Sequence, residues 1–308
     1  MRDSRDIYNI YDKIVKINNN EIEKIIEEIT EEIGKDATKE EIKILDLGIG
    51  TGTWSLPLFL SICNKYNSVQ WVGIDNDNGA RGFFFEKSKS FNLQRVQSKK
   101  EYDKYTLNGI NNKVLYWCYC DMERIWLYNI DLPINNINIF RPNLYQIIFA
   151  LDFFHHLLFW EQCLEKVIKL LENNGVLVEA ILRKDTYLTL GRFEYVNADL
   201  KAKVWREVFA QLPLYILREF HAAHSGSLRF FLEKFCKFEK KDLDRTPLEF
   251  KASVKDWLEA VRKGVFSPFK FFRKIDVSEI VEEIEQKYPG LDKEEMNVKM
   301  ILRLWKKP

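Results

Sequence analysis

The chain carries the run Ile44-Leu45-Asp46-Leu47-Gly48-Ile49-Gly50-Thr51-Gly52, in which an apolar strand over residues 42–47 enters three glycines at alternate positions. Glycines so spaced permit a turn with unusual backbone angles and let a ligand approach the main chain without meeting Cβ atoms. The nicotinamide-dinucleotide fingerprint, G-x-G-x-x-G, needs its third glycine where this chain has Thr53. No G-K-[ST] follows, so a nucleoside-triphosphate loop is excluded as well. What remains is G-x-G-x-G with an acid, Asp46, two residues ahead of the first glycine.

Working outward from the turn, Ile22, Ile25, Ile26, Ile29 and Ile33 recur at helical spacing with Gly34 placed to end the run. Residues 54–66 read as a helix and 69–74 as a second strand closing at Asp75. A third strand, 114–119, ends at Cys120-Asp121. A fourth, 145–150, opens into a segment over 152–156. A helix over 161–171, a turn at 173–175 and a fifth strand over 176–182 follow, with a last helix at 281–288 and an alternating strand at 297–305. Residues 129–140, rich in Asn and Ile, read as a loop with local structure. Short continuous apolar strands alternating with helices predict an α/β fold, a mostly parallel sheet covered on both faces.

Length and composition fit that reading: 308 residues, 46% hydrophobic and 30% charged, exclude a disordered chain, a collagen-like repeat or a disulfide miniprotein. With 47 basic and 46 acidic residues, net charge names no partner. The five cysteines include no C-x-x-C pair, which points to a reducing compartment. The N-terminus has no secretory apolar region, and the most apolar stretch, 144–160, is interrupted by Asp152, His155 and His156. A soluble, cytoplasmic protein without a membrane span is expected. Residues 183–274 differ in character, with twenty basic residues against twelve acidic, roughly +8, and many aromatics. They are expected to form a mainly helical cap inserted late in the sheet domain.

On these residues the chain resembles the class I S-adenosylmethionine-dependent methyltransferases, whose first motif is D/E-x-G-x-G-x-G after the first strand. Gly73-Ile74-Asp75 is similar to the second motif, Cys120-Asp121-Met122 to the third, and residues 145–157 and 170–178 to the strand-four and strand-five regions. The resemblance implies a Rossmann-like, mostly parallel seven-stranded sheet with helices on both faces. It implies S-adenosyl-L-methionine as cofactor, with Asp46, Gly48, Gly50 and Gly52 around the methionine moiety and Asp75 on the ribose. Asp121 and Met122 would take the adenine, and Ala150, closing strand four, would line the same site. The implied organisation is an N-terminal helical segment (1–40), the cofactor-binding core (41–182), the basic aromatic-rich cap (183–275) and a C-terminal helix and strand completing the sheet (276–308).

The acceptor side is less legible. His155 and His156 are candidate general bases, because a neutral imidazole can take an acceptor proton near pH 7; packing and helix-start roles compete with that reading. Asp77 lies two places beyond the ribose position. Tyr8 and Tyr11 stand where the family often folds a segment over the cofactor, although packing is the simpler account of them. His221 and His224 have H-x-x-H spacing without further ligands nearby, so no metal is expected. Residues 150–153, Ala-Leu-Asp-Phe, are not the [D/N]-P-P-[Y/F] run of enzymes that methylate planar amines. The expected acceptor is a small or medium organic molecule held between the strand-four turn and the cap. The alternatives are a protein or RNA acceptor docked on the basic cap, or a binding subunit that has lost catalysis.

Overall fold

A computed structural model describes residues 4–15, 17–34, 41–122, 133–134, 137–151, 153–154, 157, 160–182, 231–242, 248–263, 274–287, 289–290, 293 and 295–308. Two helices lead in, α1 (Ser4–Ile14) and α2 (Asn19–Ile33). The isoleucine stripe of α2 is buried, with Asn18 capping its start and Gly34, at φ 64°, ending it in the left-handed conformation.

β1 (Glu41–Leu47), α3 (Ser55–Lys65), β2 (Ser68–Asp75) and α4 (Asn78–Ser90) follow as two strand–helix units. Three strands then run as an antiparallel meander: β3 (Leu93–Ser98), β4 (Tyr102–Leu107) and β5 (Ile110–Tyr119). A two-stranded ribbon, β6 (Pro133–Ile134) and β7 (Ile137–Asn138), precedes β8 (Tyr145–Ala150), α5 (Trp160–Leu170) and β9 (Leu171–Leu182). β10 (Glu239–Asp242), β11 (Leu248–Ser253), α6 (Val254–Lys263), α7 (Lys274–Lys287) and β12 (Glu295–Lys306) complete the described elements.

The sheet has ten strands, in the order β10-β12-β9-β8-β1-β2-β5-β4-β3, with β11 also pairing with β12. The central five, β9-β8-β1-β2-β5, are parallel, and the strands beyond them on both sides are antiparallel. Two apolar clusters, one on each face, account for the near-continuous burial of the central strands. Ile42, Ile44, Trp71, Leu115, Trp117 and Phe149 face one, while Leu45, Leu47, Val72, Ile74, Cys118 and Ile148 face the other.

The seven strands expected are thus ten. The connection between α4 and β5 holds the β3–β4 hairpin, whose polar, largely exposed outer strand (Leu93–Ser98) gives no clean alternation in sequence. At the other edge, β10 and β11 fall inside the stretch expected to cap the sheet. They pair instead with β12, and α6 buries Trp257, Leu258 and Val261 in the cluster that also holds Ile10 and Ile14 of α1. Residues 183–230, the greater part of the expected cap, lie outside the described residues. Among the described residues no helix is long and apolar enough to cross a membrane.

Candidate functional site

Chain order reverses between β1 and its two neighbours. From β1 the chain builds β2 and β5 on one side, then returns to place β8 on the other. Such a switch point leaves a crevice at the carboxyl ends of the strands, and the glycine turn leaves β1 at that end. The turn hangs from β2: the Gly48 and Ile49 N–H groups both donate to the Ile74 carbonyl, at 2.9 and 3.1 Å.

The three glycines do different things. All have positive φ, 78°, 53° and 81° for Gly48, Gly50 and Gly52. A Cβ on Gly48 would lie 2.9 Å from the Phe153 ring, and one on Gly52 would lie 2.7 Å from Phe84. Those two are glycines because side chains pack on them. Gly50 alone faces room, its hypothetical Cβ having only the Gly48 carbonyl at 3.8 Å and Asp75 Oδ2 at 4.0 Å nearby. Of the three, only the middle glycine leaves its backbone open to the surrounding space.

Asp75 stands at the end of β2 and turns its carboxylate into the turn. Oδ2 accepts from the Gly50 N–H at 2.9 Å and Oδ1 from the Asp77 N–H at 2.9 Å. Burial raises its pKa against the lowering effect of these amides. Each oxygen retains acceptor capacity for a further donor. Asp46 has the opposite surroundings: it is 3% exposed, and its Oδ2 accepts from the Ser55 hydroxyl and, at 3.3 Å, from the Trp71 indole. Burial pushes its carboxyl up to about 7 despite those two donors. Asp46 thus ties the last turn of β1 to the first turn of α3.

Asp77 accepts from the Gly79 N–H at 2.7 Å as the N-cap of α4 and also from the Tyr8 hydroxyl. Burial, then the bond to Asp77, raise the Tyr8 pKa. Four residues further along α1, Asp12 accepts from the hydroxyls of Thr51 (3.0 Å) and Thr53 and pairs with Lys87 of α4 at 2.6 Å. Lys87 also donates to Thr53 Oγ1 at 2.9 Å. α1 is therefore strapped across the glycine turn and to both ends of α4, at Asp77 and Lys87. Sequence reading passed over Asp12 and Lys87; the helical spacing of Tyr8 and Asp12 was the available signal, weakened by the distance along the chain to their partners.

Met122 and Ala150 are both buried in the cluster that also holds Cys120 and Phe154, at the ends of β5 and β8. Asp121 is half-buried beside them. His155, His156, Asp152, His221 and His224 lie outside the described residues. All five cysteines are free, and no group of three metal-ligating side chains occurs among the described residues. A cleft of about 520 Å³ opens at the other end of the sheet, lined by Glu41, Lys43, Arg141 and Gln146 among others. It shares no residue with the turn.

The turn has one donor to spare. Gly48, Ile49, Gly50 and Gly52 each place their N–H on an acceptor, but Thr51, only 4% exposed, has none for its N–H among the described residues. The start of α3 has no side-chain cap, its N-cap being Trp54. A turn amide without an acceptor, just ahead of an uncapped helix start, is suited to an anionic group of a ligand. With the opening at Gly50 and the spare acceptor capacity of Asp75, the residues fit a nucleoside bearing an amino-acid carboxylate.

No protein-family model matches the chain, and no curated protein matches it. Solved structures do. YcgJ from Bacillus subtilis is 12% identical, covering 92% of this chain and 98% of its own, with a TM-score of 0.48. Phosphoethanolamine N-methyltransferase 2 of Haemonchus contortus, solved with S-adenosyl-L-methionine, is 12% identical, with 92% and 52% covered and a TM-score of 0.43. Coclaurine N-methyltransferase, bound to N-methylheliamine and S-adenosylhomocysteine, is 15% identical, with 92% and 70% covered and a TM-score of 0.40.

Proposed function

We propose that the protein is a methyltransferase that uses S-adenosyl-L-methionine and acts on a small or medium organic acceptor. The observation that carries this reading is the middle of the glycine turn: open space at Gly50, bounded by the Asp75 carboxylate and adjoined by a Thr51 N–H that has no acceptor among the described residues. A ribose diol donates to a carboxylate at a strand end, and an amino-acid carboxylate accepts from turn and helix-start amides. Asp75 takes the ribose and the turn takes the methionine moiety. Met122, Ala150 and Asp121 bound the adenine side. Asp46 acts from beneath, holding β1, α3 and so the turn in place.

Bound there, the cofactor supplies a sulfonium methyl, which leaves by in-line displacement. The protein's share is to align the acceptor and, where its nucleophilic atom carries a proton, to accept it. His155 and His156, in the segment after β8, are proposed for that second task. A cytoplasmic location is part of the same proposal.

Label transfer tests the reading. The protein is incubated with S-adenosylmethionine tritiated at the methyl group and a mixture of small metabolites, RNA and protein. Label in the small-molecule fraction is expected. Label confined to RNA or protein would establish a macromolecular acceptor. No transfer at all, with the cofactor bound, would leave a binding subunit without catalysis.

A further inference from the structure

Gly50 is gripped at both ends of its residue. Its N–H donates to Asp75, and its carbonyl, 3.1 Å away, accepts from the indole Nε1 of Trp117, two residues before the C-terminal end of β5. Trp117 is fully buried. The Arg81 guanidinium lies 5.8 Å from its ring centroid. Arg81 is itself fixed, making two bonds to the fully buried Asp103 (2.8 and 2.9 Å) and donating to the Lys99 and Lys100 carbonyls at 2.5 and 3.0 Å. A ring held that firmly offers its N–H in one direction only.

The consequence follows from peptide geometry. The peptide joining Gly50 to Thr51 is planar and trans, so its C=O and N–H point in opposite directions. Drawing the Gly50 carbonyl towards Trp117 sends the Thr51 N–H the other way, away from the sheet. That N–H is the one amide of residues 48–52 without an acceptor among the described residues. At φ 53° with no Cβ, Gly50 could otherwise turn this peptide over at little cost.

We propose that Trp117 is a positioning residue of the cofactor site, orienting the Gly50–Thr51 peptide so that the Thr51 N–H meets the amino-acid carboxylate of the ligand. This rests on the methyltransferase reading and adds to it a residue outside every motif the sequence displays. Arg81 and Asp103 keep the indole in place.

The test separates the amino-acid end of the ligand from the nucleoside end. Trp117 is replaced by β-(3-benzothienyl)alanine, which keeps the ring's shape and removes its N–H; Trp117→Phe serves as the encoded counterpart. Binding of S-adenosylhomocysteine and of 5′-methylthioadenosine, which has no amino-acid carboxylate, is measured by calorimetry. Loss of one hydrogen bond's worth of orientation should weaken S-adenosylhomocysteine by up to about tenfold and leave 5′-methylthioadenosine within twofold. Equal weakening of both ligands would make Trp117 a packing residue only. No weakening of either, with the melting temperature unchanged, would remove it from the site. Wild-type protein that binds neither ligand would overturn the methyltransferase reading itself, and this inference with it.

Discussion

The Tyr8 hydroxyl donates to the carboxylate of Asp77, 69 residues further along the chain and two residues beyond Asp75. This bond fastens α1 to the N-cap of α4 at the edge of the candidate site, with the Tyr8 ring against Phe83 at 5.6 Å between centroids. Together with Asp12 on Thr51, Thr53 and Lys87, it makes the first described helix part of the site's wall.

Tyr8→Phe keeps the ring contact and deletes the bond. A single hydrogen bond contributes about 1 kcal/mol, so amide exchange over residues 8–14 should accelerate by up to about tenfold. Exchange in the β1 and β2 strands should not change. Unaltered exchange in α1 would mean that the Asp12 contacts and packing on α6 hold the helix without the Tyr8 bond.

The glycines of the turn should separate stability from binding. Gly52→Ala meets both a φ of 81° and the Phe84 ring, and is expected to cost on the order of 2–4 kcal/mol in denaturant unfolding. Gly50→Ala meets only the backbone penalty, about 1 kcal/mol, yet places a methyl group beside Asp75. Its expected signature is a near-normal unfolding midpoint with lost affinity for S-adenosylhomocysteine. Equal destabilisation by both substitutions would contradict the different surroundings of the two positions.

Asp46 gives a pH signature. Its carboxyl is pushed up to about 7 in the folded protein, mainly by burial, against about 4 in an unfolded chain. The folded state therefore holds its proton between those values while the unfolded state releases it. The stability this group contributes is full below about pH 4 and is lost as pH rises through 7. Asp46→Asn removes the titration, so melting temperature should fall less between pH 5 and pH 8 in the variant than in the wild type. Parallel profiles would show that Asp46 ionises in the folded protein as readily as outside it.

The core of this fold was readable because its cause is local. Residues 42–47, 69–74 and 145–150 are short, largely apolar runs, too brief for a helix and bounded by turn residues, and each lies within a strand of the structure. Gly34 ends its helix as expected. The β3–β4 hairpin was illegible because one of its strands is an exposed, polar edge. β10 and β11 were hidden in a stretch whose aromatic residues and positive charge drew attention away from strand pairing. Within the site, Asp46 and Asp75 stand out by their distance from the glycines in sequence, and three glycines at alternate positions suggest one shared purpose. Their separate reasons, packing at Gly48 and Gly52 and access at Gly50, depend on Phe153 and Phe84, which the sequence places far away. Asp12, Lys87 and Trp117 belong to no motif at all. They act through tertiary contacts that have no periodicity to read.

The most direct measurement is a calorimetric titration of the purified protein with S-adenosylmethionine and S-adenosylhomocysteine, beside Asp75→Ala. Micromolar binding to the wild type is expected, weakened in the variant by roughly 1–3 kcal/mol as the ribose partner is lost. Wild-type protein that binds neither ligand at millimolar concentration would contradict the assignment of the glycine turn and Asp75 to this cofactor.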